Sequence, residues 1–203
     1  MKSKENILPA TAEDTIGPYY PAGFVEESND ISRTPGLQVY PRGRPIVLEG
    51  DIRDVDGQLV VPCLVEFWQA NADGRFREPG TLDDPDLDPW FSGHARQYCH
   101  DGRFRLRTIK PGAVAPEHAE AAGRAPHITL TLFCDGISKV TTQIFFEDEA
   151  ANADDPLLLA VPAALRPRLI ARRADVDDGA DVYRLDIIMR GEGETPFFDD
   201  VES

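Results

Sequence analysis

Four histidines, His94, His100, His118 and His127, are the first residues to weigh for metal chemistry, since imidazole is the commonest protein metal ligand. Side chains two apart on a strand point the same way, so a His-x-His pair presents two imidazoles to one ion. His127 heads an alternating stretch, but two residues on stands Thr129, a poor ligand beside an imidazole. His94 and His100 are six apart. On one strand face they would lie roughly 20 Å from each other, too far to share an ion. His118 falls in the acidic, loop-like run Pro116-Glu117-His118-Ala119-Glu120. For His127 the favoured reading is a core histidine hydrogen-bonded to backbone.

Other chemistries find less support. There is no Gly-x-Ser-x-Gly elbow for an activated serine. Gly191-Glu192-Gly193 is too short for a dinucleotide fingerprint and does not open a helix. Adjacent acids such as Asp83-Asp84 and Asp177-Asp178 read as solvated turns, not as a catalytic pair. Thr15-Ile16-Gly17-Pro18-Tyr19 is different. Gly17-Pro18 sets a rigid bend, and Tyr19 follows with a flat ring and a hydroxyl. One reading is a packing turn. The other is a wall for a planar aromatic ligand, with the Tyr19 hydroxyl donating a hydrogen bond.

The elements that would position these residues are mostly strands. Residues 1–44 are rich in Pro, Gly and polar side chains with little periodicity, so an extended N-terminal arm is expected there, ordered by a partner chain. Residues 45–203 are expected to form one domain. A strand begins at Ile46. Asp56-Gly57 marks a hairpin turn, with Leu59 to Gln69 as the returning strand and an edge or bulge at Pro62. Arg103 to Thr108 alternates. His127 to Phe133 alternates too, with Ile128, Leu130 and Leu132 on one face and His127, Thr129, Thr131 and Phe133 on the other. Val140 to Glu147 and Val182 to Met189 follow. Asp155-Pro156 caps a short helical stretch that Pro162 and Pro167 break up. Many short strands and little helix imply an all-β fold, a β-sandwich of mostly antiparallel strands with short helical turns.

Composition narrows the partners. With 21 Lys and Arg against 36 Asp and Glu, the 203-residue chain carries a net charge of -15. It would repel a phosphate backbone, so nucleic-acid binding is not expected. No apolar run is long enough to span a membrane, and the N-terminus lacks an apolar signal core, so a cytoplasmic protein is expected. Cys63, Cys99 and Cys134 are an odd set without metal-ligand spacing, and read as small buried thiols. Arg166, Arg168, Arg172 and Arg173 crowd one stretch expected to be helical. The acidic tail and this basic stretch read as solvated faces or as a contact with a partner subunit.

Several motifs together carry a family resemblance. They are Thr15-Ile16-Gly17-Pro18-Tyr19, Glu66-Phe67-Trp68-Gln69-Ala70-Asn71, Thr108-Ile109-Lys110-Pro111-Gly112, Ala125-Pro126-His127-Ile128, Phe145-Phe146-Glu147-Asp148-Glu149-Ala150 and Gly191-Glu192-Gly193-Glu194-Thr195-Pro196-Phe197-Phe198-Asp199. Over nearly its whole length the chain resembles the intradiol ring-cleavage dioxygenases, and within them the alpha-type subunits of heteromeric members. The resemblance implies a pseudo-symmetric pairing with a homologous beta-type subunit that supplies the Fe(III) ligands, two tyrosines and two histidines. Projected onto this chain, those ligand positions are Asp83, Val114, His127 and Thr129, so three of the four are lost. No metal is then expected on this chain alone, and no catalytic residue in it. The pocket residues carried over by motif are Thr15, Gly17, Pro18 and Tyr19. The implied reaction opens protocatechuate or a related catechol with O2 to a carboxy-muconate.

One departure bears on the substrate. Alpha-type chains commonly place an arginine shortly after the Leu-Phe of the histidine strand, and here Asp135 stands at that place. An aspartate would repel a substrate carboxylate. Either Asp135 is outside the pocket or the substrate is not protocatechuate. Two further readings stay open: a non-enzymatic β-sandwich binding or assembly protein that kept the scaffold, and a self-sufficient dioxygenase with an altered metal site.

Overall fold

The structure, a computed structural model, describes residues 29–33, 39–78, 80–116, 123–134 and 138–198. Nine strands dominate it: β1 (Pro45–Arg53), β2 (Cys63–Gln69), β3 (His94–Cys99), β4 (Arg103–Ile109), β5 (His127–Cys134), β6 (Ser138–Phe146), β7 (Ile170–Asp177), β8 (Ala180–Arg184) and β9 (Ile187–Ile188). Hydrogen bonding runs in the order β3-β2-β5-β6-β7-β8-β1-β4, with β9 beside β1. Most pairings are antiparallel; β1–β8, β1–β9 and the short β6–β7 contact are parallel. The path folds over at that β6–β7 contact, where only Phe145 and Phe146 meet Ile170 and Ala171. The two halves then face each other across one core. Ile46, Leu48 and Leu106 come from one half, and Val65, Leu130 and Ile144 from the other. The Phe67 and Phe104 rings meet across it at 5.7 Å. This is the expected β-sandwich.

Local chemistry explains where strands start and stop. Asp155 caps α1 (Pro156–Ala160): its carboxylate accepts from Leu157 N and Leu158 N, and Pro156 fills a first-turn position whose N–H would have no partner. The Asp56-Gly57 turn forms as expected, with Asp54 N–H bonded to Gln58 O at 2.9 Å and Gly57 at φ 74°. The returning strand does not. Leu59 makes one bridge to Arg53, and the chain then leaves for the other half, where β2 pairs with β3 and β5 instead of β1. The expected strand Val182 to Met189 is divided at Leu185 and Asp186. There the Asp186 carboxylate accepts the Asp51 N–H at 3.0 Å, a bond a continuous strand would have made with backbone.

Two strands and one edge were not anticipated. β3 lacks alternation clear enough to read. In β7, Arg172 to Asp177 are all exposed, so no apolar face marks them as a strand. Arg172 and Arg173 therefore lie on a strand and not on a helix, while Arg166 and Arg168 sit in a 3₁₀ turn, Arg166–Leu169. Residues on the expected arm's side of Pro45 also join this chain's sandwich. Ile31 N–H bonds to Arg107 O, Arg107 N–H bonds to Asn29 O, and the Ile31 side chain enters the core.

Three of the motif segments, around Gln69, Lys110 and Asp148, meet at one end of the sandwich. Gln69, at the end of β2, donates to Ile109 O at 3.0 Å and accepts from the Thr108 hydroxyl at 2.8 Å, tying β2 to the end of β4. Asn71 turns the next loop by accepting from Asp73 N and Arg75 N, both at 2.9 Å. Gly112 N–H donates to Asn71 O at 2.9 Å, and the two loops lie so close that a Cβ on Gly112 would sit 2.3 Å from Ala72 O. Beyond β4, the Lys110 ammonium lies 2.7 Å from Asp148, 2.6 Å from Glu149 and 3.3 Å from the Tyr183 hydroxyl. It also sits 5.2 Å from the centres of the Phe146 and Tyr183 rings.

Gly112→Ala is expected to lose on the order of 1–3 kcal/mol of stability, because backbone must move to admit the methyl. Gly80→Ala, with nothing within 4 Å, is expected to stay within about 0.5 kcal/mol of the parent. Urea unfolding of the two variants against the parent checks this.

Candidate functional site

The first residues of β5 carry the candidate site. His127 and Thr129 point to the same side, away from Ile128 and Leu130, which enter the main core. Both are buried, His127 at 3% exposure. The His127 Nδ1–H donates to Ala125 O at 2.7 Å. That leaves Nε2 as a lone-pair acceptor, buried and without a hydrogen-bond partner among the described residues. Phe76 and Phe145 flank the ring at 6.2 and 5.7 Å between centres. Burial, reinforced by the nearby Arg124 guanidinium, draws the imidazole down from 6.5 to about 4, so it is neutral at ordinary pH.

A polar chain lies alongside. The Gln143 amide donates to the Thr129 hydroxyl at 3.4 Å, and the Gln143 oxygen accepts from Arg124. Arg124 also donates to Asp155 at 3.0 Å, and the same Asp155 oxygen takes the Ala125 N–H at 2.9 Å. Asp155, fully buried, therefore joins α1 to the lead-in of β5. Arg124 is placed by Val114, with which it exchanges both backbone hydrogen bonds. Val114 is itself buried with Ala70 and Phe76, and the Trp68 ring stacks on Phe76 at 5.9 Å.

The four projected ligand positions separate into two groups. Val114, His127 and Thr129 are brought to this one region, Val114 through its pairing with Arg124, three residues ahead of His127. Asp83 is exposed in the turn closed by Asp84 N and Thr81 O. A ferric ion needs several convergent anionic or imidazole donors. Here the one imidazole is flanked by the Phe76 and Phe145 rings, Val114 is packed against Phe76, and the Thr129 hydroxyl is engaged with Gln143. No group of three or more His, Cys, Asp or Glu side chains able to hold a metal ion occurs among the described residues. Among the described residues, the donors in this region do not fit iron. His94 and His100 bracket β3, and neither approaches His127. Thr15, Gly17, Pro18, Tyr19, His118 and Asp135 lie outside the described residues.

Sequence reasoning missed Arg124 and Gln143, and saw Asp155 only as a helix cap. The adjacency of Arg124 to the Ala125-Pro126-His127 motif was the available signal. Gln143 had none, because its role depends on the register of β5 with β6, in which it opposes Thr129. A cleft of about 600 Å³ elsewhere, over β1, β4 and β8, is lined by Glu49, Asp51, Arg103, Arg105 and Arg184, whose charges are paired with one another.

Residues 15–191, which span this sandwich and the site at the head of β5, match the family described as Dioxygenase. The chain belongs to the intradiol dioxygenase family, whose members are generally non-haem iron enzymes. Protocatechuate 3,4-dioxygenase alpha chain of Pseudomonas putida is 37% identical over 205 residues, covering 95% of this chain and 98% of its own length. The beta chain of Burkholderia cepacia is 34% identical over 198 residues, covering 95% and 81%. Among solved structures, 3-chlorocatechol 1,2-dioxygenase from Rhodococcus opacus 1CP superimposes with a TM-score of 0.61 at 22% identity, over 85% of this chain and 69% of that one. That likeness concerns the fold.

The buried imidazole makes stability depend on pH. Its folded pKa, about 4, lies below its unfolded value of 6.5, so the unfolded chain takes up the proton first on acidification. Stability is full above pH 6.5 and falls as pH drops toward 4, by up to on the order of 3 kcal/mol from this group. His127→Phe is expected to flatten that part of the profile. Urea unfolding from pH 7 to pH 4 checks it; equal slopes in parent and variant would assign the loss to other groups, His94 first among them, since burial lowers its pKa too.

Proposed function

We propose that the chain is the alpha-type, non-metal subunit of a heteromeric intradiol dioxygenase that opens protocatechuate or a related catechol with O2 to a carboxy-muconate. The carrying observation is the agreement with a protocatechuate 3,4-dioxygenase alpha chain over 95% of this sequence at 37% identity, combined with a β5 site that keeps His127 but has Val114 and Thr129 where iron ligands are projected. Fe(III) in the assembled enzyme is then ligated by a homologous beta-type partner. This chain contributes the scaffold, shields the site from water and positions the ring. Thr15, Gly17, Pro18 and Tyr19 form its pocket wall, Asp135 stands outside it if the substrate is protocatechuate, and residues 1–44 serve as the partner-contacting arm of a domain spanning 45–203. The assembly works in the cytoplasm. The non-enzymatic alternative is not favoured, because relatives matching nearly the whole chain are dioxygenase chains.

Purified alone, the chain is expected to take up no stoichiometric ferric iron and to show no tyrosinate-to-iron colour. Co-expressed with a beta-type chain, it is expected to give an iron-containing complex that consumes O2 with catechols. Metal analysis and oxygen uptake on both preparations test the proposal. One tightly bound iron per lone chain would overturn it.

In the complex, Tyr19→Phe is expected to keep the iron and lose catalytic efficiency. A hydrogen bond to a charged group contributes on the order of 1.5–3 kcal/mol, roughly 10- to 150-fold. The loss should fall on catechols bearing a ring carboxylate more than on catechol itself. Unchanged kcat/KM on both substrates would remove Tyr19 from the pocket.

A further inference from the structure

Cys63, Cys99 and Cys134 form one row across three neighbouring strands. Cys63 opens β2; opposite it in β3 is Cys99, and opposite it in β5 is Cys134. Directly opposed residues point to the same face, and all three thiols are buried in the main core, at 2%, 3% and 3% exposure. None of them takes part in the site around His127.

The two neighbours of Cys63 are not equivalent. Gln69 N–H donates to Gly93 O at 2.9 Å, and the β2–β3 register places these two residues opposite each other, at a hydrogen-bonded position. Moving along β2 two residues at a time, Phe67 with Ala95, Val65 with Gln97 and Cys63 with Cys99 fall at the same kind of position. The N–H and C=O groups of a central strand alternate between its two neighbours. Cys63 therefore opposes Cys134 at a non-hydrogen-bonded position, where Cα atoms are about 4.5 Å apart instead of about 5.5 Å. Facing Cβ atoms come closer at such positions than at hydrogen-bonded ones, nearest to the roughly 3.5–4.5 Å that a disulfide spans.

The surroundings of the sulfurs agree. Cys63 Sγ lies 3.4 Å from Val60 O and 4.0 Å from Cys99 O, between the two neighbouring thiols. The nearby Cys134 thiol pulls its pKa down, but Cys99 together with burial overrides it and pushes the thiol up to about 12. Cys63 begins its strand, while Cys99 and Cys134 end theirs, so local opening at strand ends reaches the row without unfolding the sheet.

We propose that Cys63 and Cys134 are a latent cross-strand disulfide, closed by a peroxide, with Cys99 as the thiol left over. One thiolate attacks a peroxide oxygen, giving a sulfenic acid and one water. The second thiol displaces the sulfenic hydroxyl as another water and completes the S–S bond. The two sulfurs together give up two electrons and two protons, and one hydrogen peroxide becomes two waters. Because the thiolate is the attacking form, closure is slow at neutral pH and quickens as pH rises.

The test treats the full-length chain with hydrogen peroxide, blocks the remaining thiols by alkylation, digests without reduction and maps the peptides by mass spectrometry. The expected result is a Cys63–Cys134 link, a chain lighter by two hydrogen atoms before alkylation, and Cys99 as the one alkylated cysteine. Cys99→Ser should form the same link, and Cys63→Ser should form none. A predominant Cys63–Cys99 link, links between chains, or oxidation that ends in separate sulfinic or sulfonic acids would overturn the proposal. The Cys99→Ser arm decides the matter even if Cys63→Ser fails to fold.

Discussion

The ammonium of Lys110 is drawn in under the Phe146 and Tyr183 rings, where Asp148 and Glu149 meet it from the turn after β6 and Tyr183 meets it from β8. Three strands from both halves of the sandwich thus converge on one charge. Burial alone would lower its pKa; the bonds to Asp148, Glu149 and Tyr183 overcome that and raise it. Arg44 closes the cluster by donating to the Tyr183 hydroxyl at 2.7 Å and pairing with Asp181. With Lys110 fixed, Pro111-Gly112 follows against Ala72 and Gly74 without room for a side chain. Val114 then falls opposite Arg124, and Arg124 sets the approach to His127. The geometry of the β5 site is in this sense inherited from an ion cluster on the far side of the loop. Buried ion networks are a costly way to gain stability, but their directional bonds fix position well.

Along that path lies a buried imidazole beside a closed polar chain. His127 retains the second-sphere bond that orients a ligating imidazole, Nδ1–H to a backbone carbonyl, as metal-bound histidines commonly do. Its Nε2, however, has no hydrogen-bond partner among the described residues, and the Phe76 and Phe145 rings flank the imidazole. The polar chain Thr129, Gln143, Arg124 and Asp155 spends its hydrogen bonds internally and on the α1 cap. Such an arrangement is rigid, mostly satisfied and poor in anionic donors. It suits a subunit that holds shape beside a reacting centre.

The outer ribbon shows the opposite use of charge. β7 is a strand exposed on both faces, a form that invites edge pairing with other chains. Its free donors are occupied locally: Val176 N–H bonds to the Asp175 carboxylate and Arg173 N–H to Glu147, each at 2.8 Å, with a bulge between Arg173 and Asp175. Arg105 and Arg107 hold the ribbon tip to β4. The arginine-rich stretch is therefore an edge kept closed by its own charges.

The sequence by itself determined the fold class, the Asp155 cap, the Asp56-Gly57 turn and the two faces of β5, because each rests on local periodicity or local hydrogen bonding. It also determined that Thr129 breaks the His-x-His pair and, through its motifs, the family. Tertiary structure decided what local pattern does not encode. β2 abandons its hairpin partner because the other half of the sandwich offers two strands to pair with. β7 forms without an apolar face because β8 supplies its hydrogen bonds. Gln143 joins the site through strand register alone. The Lys110, Asp148 and Glu149 motifs could be seen as marks of a family, yet only folding brings the two carboxylates within 3 Å of Lys110, since a charge is buried at acceptable cost only where distant segments deliver its partners together.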